Sequence, residues 1–425
     1  MSSVPPLKTG PHKRAPPKLD LRAFQAAPTL SVPRRLEPAS LVDAHIHLFD
    51  QRQLDQREVT WPLASENRQW SSPHGLSEYR TVVQDGGGIE RFARGKASFG
   101  GIVYVQVEAE HDDDDADGSR GGWDASLSEI DTVCKAALES TVDVIALVPW
   151  APVHHGSAAL EKYLARLFAL PSLVAYTDQL GYPPVKAFRY LLQDSPKGFF
   201  LEDKFIDGLD FLGKRGFAFD LTLDVTHKET GGPLVLDDAV EAIAKVRELQ
   251  KEGEQTQFIL DHFAKPDLTV DSTVPPSAFQ TAYIASLFSL ALLPNVSLKL
   301  SALLDSADEE TVKTAFEAYR LGSSVKGKRK GTAYETLMGR ILTYLEPAIE
   351  AFGDSRILVG SDWPMFRPKL STEPFSSARI EDEAAAWAFE MQLYLDCLVE
   401  IGLEGESLDR IFAGNAKAVY GVLEA

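Results

Sequence analysis

The chain has 425 residues, with 43 Lys plus Arg against 62 Asp plus Glu, which gives a formal charge of −19. With 44% hydrophobic and 25% charged residues it has the proportions of a water-soluble globular protein with a large core. The acidic excess argues against nucleic acid or an anionic membrane as a partner, because both need a basic surface, and leaves a small-molecule substrate as the expected one.

Residues 1–38 hold a high share of the 25 prolines and show no sustained periodicity. They are expected to form an N-terminal arm, either mostly disordered or with the part near Leu19–Leu30 wrapping the domain as a strap. No apolar segment follows its basic residues, so no secretory leader is expected. The stretch Ala282–Leu293 is too short to span a bilayer. Cys134 and Cys397 form no disulfide framework, and a cytoplasmic protein is expected.

From residue 39 to 425 the pattern is one of short apolar runs separated by amphipathic segments. The runs are Leu41–His47, Gly101–Glu108, Val142–Val148, Val185–Tyr190, Phe217–Leu223, Gln257–His262, Val296–Leu300 and Arg356–Gly360. Ser172–Tyr176 is a rival for the fourth. Most are apolar on both faces, as parallel strands covered by helices are. Helices are expected over 124–140, 157–169, 199–214, 236–251, 277–293, 308–320, 333–352, 380–402 and 406–422. The alternation predicts an α/β fold, a (β/α)8 barrel with loop insertions, against an open doubly wound sheet as the rival. The acidic stretch His111–Gly118 and the basic patch Lys326–Lys330 read as solvated surface.

Polar residues at the strand ends carry the chemistry. In Asp43-Ala44-His45-Ile46-His47, strand alternation puts Asp43, His45 and His47 on one face, with Val42, Ala44 and Ile46 on the other. Two imidazoles so placed can hold one metal ion. Glu108, ending the second run, can ligate that metal or orient a ligand histidine. Arg189 can fork onto a substrate carboxylate or make a structural ion pair. His262 ends the sixth run and Lys265 follows it, at the end where such barrels carry their sites. Asp362, in Gly360-Ser361-Asp362-Trp363-Pro364, comes beside His45 and His47 if the last strand closes on the first, placed as a general base or a further metal ligand. Asn415 is expected to cap a helix. The chain has no P-loop, His-Glu-x-x-His, Gly-x-Ser-x-Gly or dinucleotide glycine motif.

These segments resemble the amidohydrolase-related (amidohydrolase 2) family of the metal-dependent hydrolase superfamily, in particular its sugar-lactonase and dicarboxylate-lactonase branch. The resemblance is carried by LVDAHIHLFD at 41–50, VYVQVE at 103–108, FRYLLQD at 188–194 and FDLTLD at 219–224. It continues through FILDHFAKPD at 258–267, NVSLKLSAL at 295–303, ILVGSDWP at 357–364 and IFAGNAKAVYG at 411–421. It implies hydrolysis of a lactone ring, with His45, His47 and His262 around the reacting carbonyl, Asp362 moving protons and Arg189 positioning substrate. It implies a divalent metal, Zn²⁺ first, although some lactonases of the group act without one. Relatives often have glycine where this chain has Ala264 and Ala302, and the arm, acidic loop and 322–332 insertion lie outside the common pattern. A metal-dependent decarboxylase, or a barrel that only binds, are the competing expectations. Neither the particular lactone nor the oligomeric state can be read from the residues.

Overall fold

A computed structural model of the chain describes residues 34–60, 66–112, 114–227, 232–270, 276–322 and 332–422. Most of the expected arm, part of the 322–332 insertion and the Lys326–Lys330 patch lie outside these residues. The arm's last residues are described, and there Arg35 donates to the Asp409 carboxylate at 2.7 Å.

Eight parallel strands carry the fold: β1 (Ser40–Ile46), β2 (Ser98–Val105), β3 (Val144–Val148), β4 (Ala187–Leu191), β5 (Ala218–Thr222), β6 (Phe258–Leu260), β7 (Val296–Leu300) and β8 (Ile357–Val359). The ladders run β1–β2–β3 and β4–β5–β6–β7–β8. Two narrower joins complete the circle. Bridges Leu147–Val185 and Trp150–Arg189 tie β3 to β4, and a bridge from Ile46 to Trp363 ties β1 to the end of β8. Across that last join Asp362 N–H donates to His45 O and His47 N–H to Trp363 O, both at 2.8 Å. The result is a (β/α)8 barrel.

Strands that are buried on both faces explain the unbroken apolar runs. Val42, Ala44, Val103, Val105, Ala146 and Val148, with Ala187, Ala218, Ile259 and Leu358, form one cluster that fills the barrel interior. The alternate residues, among them Tyr104, Phe188, Phe219, Leu298 and Val359, pack under the helices. These are α1 (Asp124–Glu139), α2 (Ser157–Leu167), α3 (Pro171–Leu180), α4 (Asp203–Lys214), α5 (Val235–Leu249), α6 (Ala278–Ala291), α7 (Glu309–Gly322), α8 (Thr332–Phe352), α9 (Ile380–Glu400) and α10 (Asn415–Val419). No helix among the described residues is long and apolar enough to cross a membrane.

Two local expectations are corrected, and the acidic loop, exposed as expected at Asp114, Ala116 and Asp117, turns on one buried side chain. Ser172–Tyr176 lies in helix α3, because Pro171 presets the first helical turn and Gly181, at φ 74°, stops the last one. Asn415 does not cap its helix. Its amide donates to the carbonyls of Asp354 and Ile357, both at 2.7 Å, and pins α10 to the start of β8. That seats Ala416 and Tyr420 against the barrel interior. In the acidic loop, Asp115 is buried and accepts the backbone N–H groups of Arg120 (3.1 Å) and Gly122 (2.9 Å), which organises the turn.

Candidate active site

The site begins with an irregularity in β1. Three steps from Asp43 to Ile46 face two steps from Ile102 to Tyr104 on β2, so β1 carries a bulge at Ala44–His45. Below it Val42 and Ala44 face the interior; above it His45 and His47 do. Asp43 therefore faces outward while Val42 and Ala44 face inward, both contrary to the simple alternation, whereas Ile46 packs under the helices as expected. Asp43 accepts hydrogen bonds from Ser361 N–H (2.7 Å), Ser361 Oγ (2.6 Å), Tyr79 OH (2.7 Å) and Trp387 Nε1 (3.1 Å). It anchors the β8 turn to β1 and to the helix layer. The bulge also needs Gly360, where a Cβ would lie 2.7 Å from His45 N and 2.8 Å from His45 Cβ.

The other groups arrive where strands end in left-handed backbone. His262 (φ 56°) and the three residues after it, through Lys265 (φ 56°), turn the chain sharply at the end of β6, and Asp362 (φ 55°) does so after β8. Ala264 and Ala302 both have φ 54°, a conformation that favours glycine.

The imidazoles and the acid converge at the carboxyl-terminal mouth of the barrel. Asp362 Oδ1 lies 3.1 Å from His47 Nε2, 3.4 Å from His45 Nε2 and 3.9 Å from His262 Nε2. The Nε2 atoms of His45 and His47 are 3.3 Å apart. Each ring is braced from behind. His47 Nδ1 meets Val105 O at 2.8 Å, and because a carbonyl only accepts, that nitrogen carries the proton. His262 Nδ1 lies 2.9 Å from Ser301 Oγ, and the Lys299 ammonium is 3.1 Å from His45 Nδ1.

Beneath the cluster lies a fully buried ionic group. Lys299 donates to Asp220 and lies 3.1 Å from Asp261 Oδ1, while Tyr420 OH contacts both Asp220 oxygens at 3.0 Å. Thr222 Oγ1 donates to Asp261 Oδ2 at 2.7 Å.

Burial pushes Asp220 up to about 6 against the pull of Lys299. For Asp261, burial is outweighed by Lys299 and His45, which hold it well below the usual carboxylate range. Burial and the Lys299 charge keep His45 well below its ordinary value, and burial lowers His262 to about 4. Both rings are neutral at pH 7. Burial alone would raise Asp362, but the imidazoles, His262 foremost, hold it far below the usual range. The site thus pairs an ionised acid with two neutral imidazoles, those of His45 and His262.

Asp362 Oδ1 is buried with no hydrogen-bond partner. A tetrahedral cation with bonds of about 2.0–2.1 Å spaces its ligand atoms roughly 3.4 Å apart. The separations of 3.1, 3.3 and 3.4 Å among Asp362, His47 and His45 fit such an ion, and these three residues form one group of suitable spacing. His45, Asp261 and His262 form a second group of suitable spacing. There the Lys299 ammonium already stands against both His45 and Asp261, and would oppose a second positive charge.

The remaining expected residues are placed differently. Glu108 belongs to neither group of potential ligands. Strand β2 ends at Val105, and the Glu108 carbonyl accepts from Thr60 N–H at 3.1 Å and Thr60 Oγ1 at 2.8 Å. The buried carboxyl behind β2 is Glu129 of α1, which accepts from Tyr104 OH and, at 3.0 Å, from Val107 N–H. Burial pushes it up to about 8. Arg189 is buried, with Nη1 donating to Gln106 O at 3.0 Å, and Lys265 Nζ donates to Gln193 Oε1 at 2.8 Å. Sequence reasoning passed over Lys299, Asp261 and Asp220. Lys299 does leave a signal, since Ser297, Lys299 and Ser301 alternate as a polar stripe through an apolar strand.

The family model described as Amidohydrolase matches residues 42–422. Among curated proteins the chain is similar to L-rhamnono-gamma-lactonase of Scheffersomyces stipitis, 22% identical over 401 residues that cover 90% of this chain and 98% of that protein. Among solved structures it is similar to two crystal structures of an amidohydrolase from Burkholderia multivorans, one with bound HEPES and one with bound zinc. Each is 18% identical with a TM-score of 0.55, covering 91% of this chain and 100% of the other. At that identity they speak for the barrel.

Proposed function

The chain belongs to the amidohydrolase family, and on that premise we propose that it hydrolyses a small lactone, a sugar-acid lactone or similar cyclic ester. The observation that carries this reading is the unpartnered Asp362 Oδ1, buried within 3.9 Å of three imidazole nitrogens at the barrel mouth. An ionised carboxylate so placed takes a proton from an attacking water and returns it to the ring oxygen that leaves. The imidazoles of His45, His47 and His262 line the position the carbonyl would take. Arg189 and Lys265 hold the substrate's carboxylate or hydroxyl groups. The similarity to a lactonase supports the substrate class.

The donor set of His45, His47 and Asp362, with His262 beside it, would suit a divalent cation, with zinc the first choice from its nitrogen-rich character and from the zinc-bound neighbour. Such an ion supplies Lewis acidity at the carbonyl and lowers the pKa of bound water. Glu108 keeps at most an outer role. The substrate is the expected partner, and the reaction is assigned to the cytoplasm.

The test is a panel of aldonolactones, L-rhamnono-γ-lactone included, followed by acid release and product analysis. A ring-opened acid supports the proposal. Release of CO₂ from small carboxylic acids, with every lactone untouched, would replace it with a decarboxylase. No turnover and no bound metal would leave a binding protein.

A further inference from the structure

The end of the barrel away from the imidazoles holds a cavity that the proposed chemistry does not use. It lies between helix α3 and the residues that lead into β4 and β5, and its volume is about 510 Å³, within the size range of small-molecule pockets. Its walls are apolar, with Phe168, Leu173, Val174, Val185 and Phe217 among them. Phe168 and Val174 are 40% and 48% exposed, so large apolar side chains stand open to water here. The Phe168 and Phe217 rings stack with centroids 6.1 Å apart, which fixes one wall.

Three charged residues line the cavity, Asp178, Lys186 and Arg215, and they are not equivalent. Arg215 is already engaged, its guanidinium 3.5 Å over the Phe211 ring and 3.4 Å from a Glu161 oxygen. Asp178 is an exposed carboxylate on the rim. Lys186 is fixed by its backbone, which donates to Leu147 O at 3.1 Å and accepts from Ala218 N–H at 3.0 Å. Because Ala187 faces the barrel interior, strand alternation turns Lys186 outward, into the cavity. Its ammonium meets the face of the Tyr182 ring at 5.2 Å, and among the described residues it has no hydrogen-bond or ion-pair partner. Partial burial lowers its pKa. A cation drawn from water and left without an acceptor favours an anion beside it.

We propose that this cavity binds a small amphipathic monocarboxylate, its aryl or alkyl body against Phe168, Val174 and Phe217 and its carboxylate on the Lys186 ammonium. One open cation admits one carboxylate, and Asp178 opposes a second. A hydroxyl-rich compound of the kind assigned to the mouth would leave its hydroxyls unpaired against these walls, so the two places take different molecules. The assignment does not rest on the lactone reading.

The test is isothermal titration calorimetry of the full chain with phenylbutyrate and with phenylbutyramide, which share a body and differ in charge. One equivalent of the acid should bind, about tenfold or more tighter than the amide, as a hydrogen bond to a charged group implies. Lys186→Met keeps the length of the side chain and should bring the acid down to the affinity of the amide. Val174→Trp fills the cavity from a half-exposed position and should weaken both, while Asp178→Asn should tighten the acid alone. No uptake of the acid, equal affinity for acid and amide, or unchanged acid binding in a folded Lys186→Met would each overturn the proposal. Loss of acid binding in His47→Gln would also overturn it, by placing the carboxylate at the mouth. So would a dimer in sedimentation that takes up no acid, which would give the apolar face to a second copy of the chain. If Lys186→Met does not fold, the difference between acid and amide and the effect of Val174→Trp still decide. These titrations need no lactone, so failure of the lactone panel leaves them intact.

Discussion

Replacing Asp362 with Asn bears most directly on the proposed chemistry. The change conserves shape, so the β8 turn, held by Ser361 N–H on Asp43 at 2.7 Å, need not move. It removes the negative charge at the oxygen lying 3.1–3.9 Å from the imidazoles. A positioned general base contributes about 10²–10⁴ in rate, or about 3–5 kcal/mol of transition-state stabilisation at roughly 1.36 kcal/mol per decade. Steady-state kinetics on a lactone that the wild type opens should show kcat reduced by that factor, with thermal unfolding confirming an intact fold. The pH profile gives a second check. Asp362 is held far below the usual range and His262 at about 4, so kcat/KM should stay level through neutral pH and fall only near pH 4 and below, as these groups gain protons. Full kcat in Asp362→Asn, or an acid limb near the ordinary histidine value of about 6.5, would refute the assignment.

Two further perturbations probe the frame around the site. Gly360→Ala drives a Cβ to within 2.7 Å of the His45 backbone, so it should cost about 1–3 kcal/mol in chemical denaturation and lower kcat further than that loss alone implies, because β8 and the bulge both shift. Glu129 rises from 4.5 to about 8 on folding, so its contribution is complete below about pH 4.5 and is lost as pH rises toward 8. At roughly 1.36 kcal/mol per unit the loss reaches at most about 5 kcal/mol. Glu129→Gln keeps an acceptor for Tyr104 and Val107 and should gain on the wild type between pH 5 and pH 8.5; parallel denaturation curves would contradict this.

The barrel was legible because parallel strands, buried on both faces, write themselves as short apolar runs, and β7 falls where the run Val296–Leu300 does. What alternation cannot register is a bulge. Asp43 reads as a member of the histidine face, and only the pairing of Asp43–Ile46 with Ile102–Tyr104 turns it outward. Glu108 was misplaced for a related reason: the apolar run continues past Val105, but the ladder does not, and the chain leaves toward Thr60. Asp362 could be paired with His45 and His47 in advance because barrel closure is a topological consequence and needs no side-chain detail. Lys299 was harder to weigh, since a lysine within an apolar strand has meaning only once Asp220 and Asp261 are known to lie beside it.

The placement of backbone strain argues independently that this mouth is the working end. Non-glycine residues in the left-handed region cost on the order of 1–3 kcal/mol where the surroundings force them, and they persist where the geometry is needed. Here His262 through Lys265, Ala302 and Asp362, the residues leaving β6, β7 and β8, all have φ between 51° and 56°. A glycine would relieve that cost at any of them, but at His262 and Asp362 it would also delete the group that the turn presents. The fold meets the cost with attachments close by. Asp43 gathers four donors under the Asp362 turn, and Tyr283 OH donates to Phe263 O at 2.8 Å beneath the His262 turn. Arg57, Ala93 and Arg94 share this conformation elsewhere, but six of the nine such residues among those described gather where β6, β7 and β8 end. Turns that deliver the imidazole and the acid, each secured from the helix layer, are the pattern expected of a preorganised reaction centre.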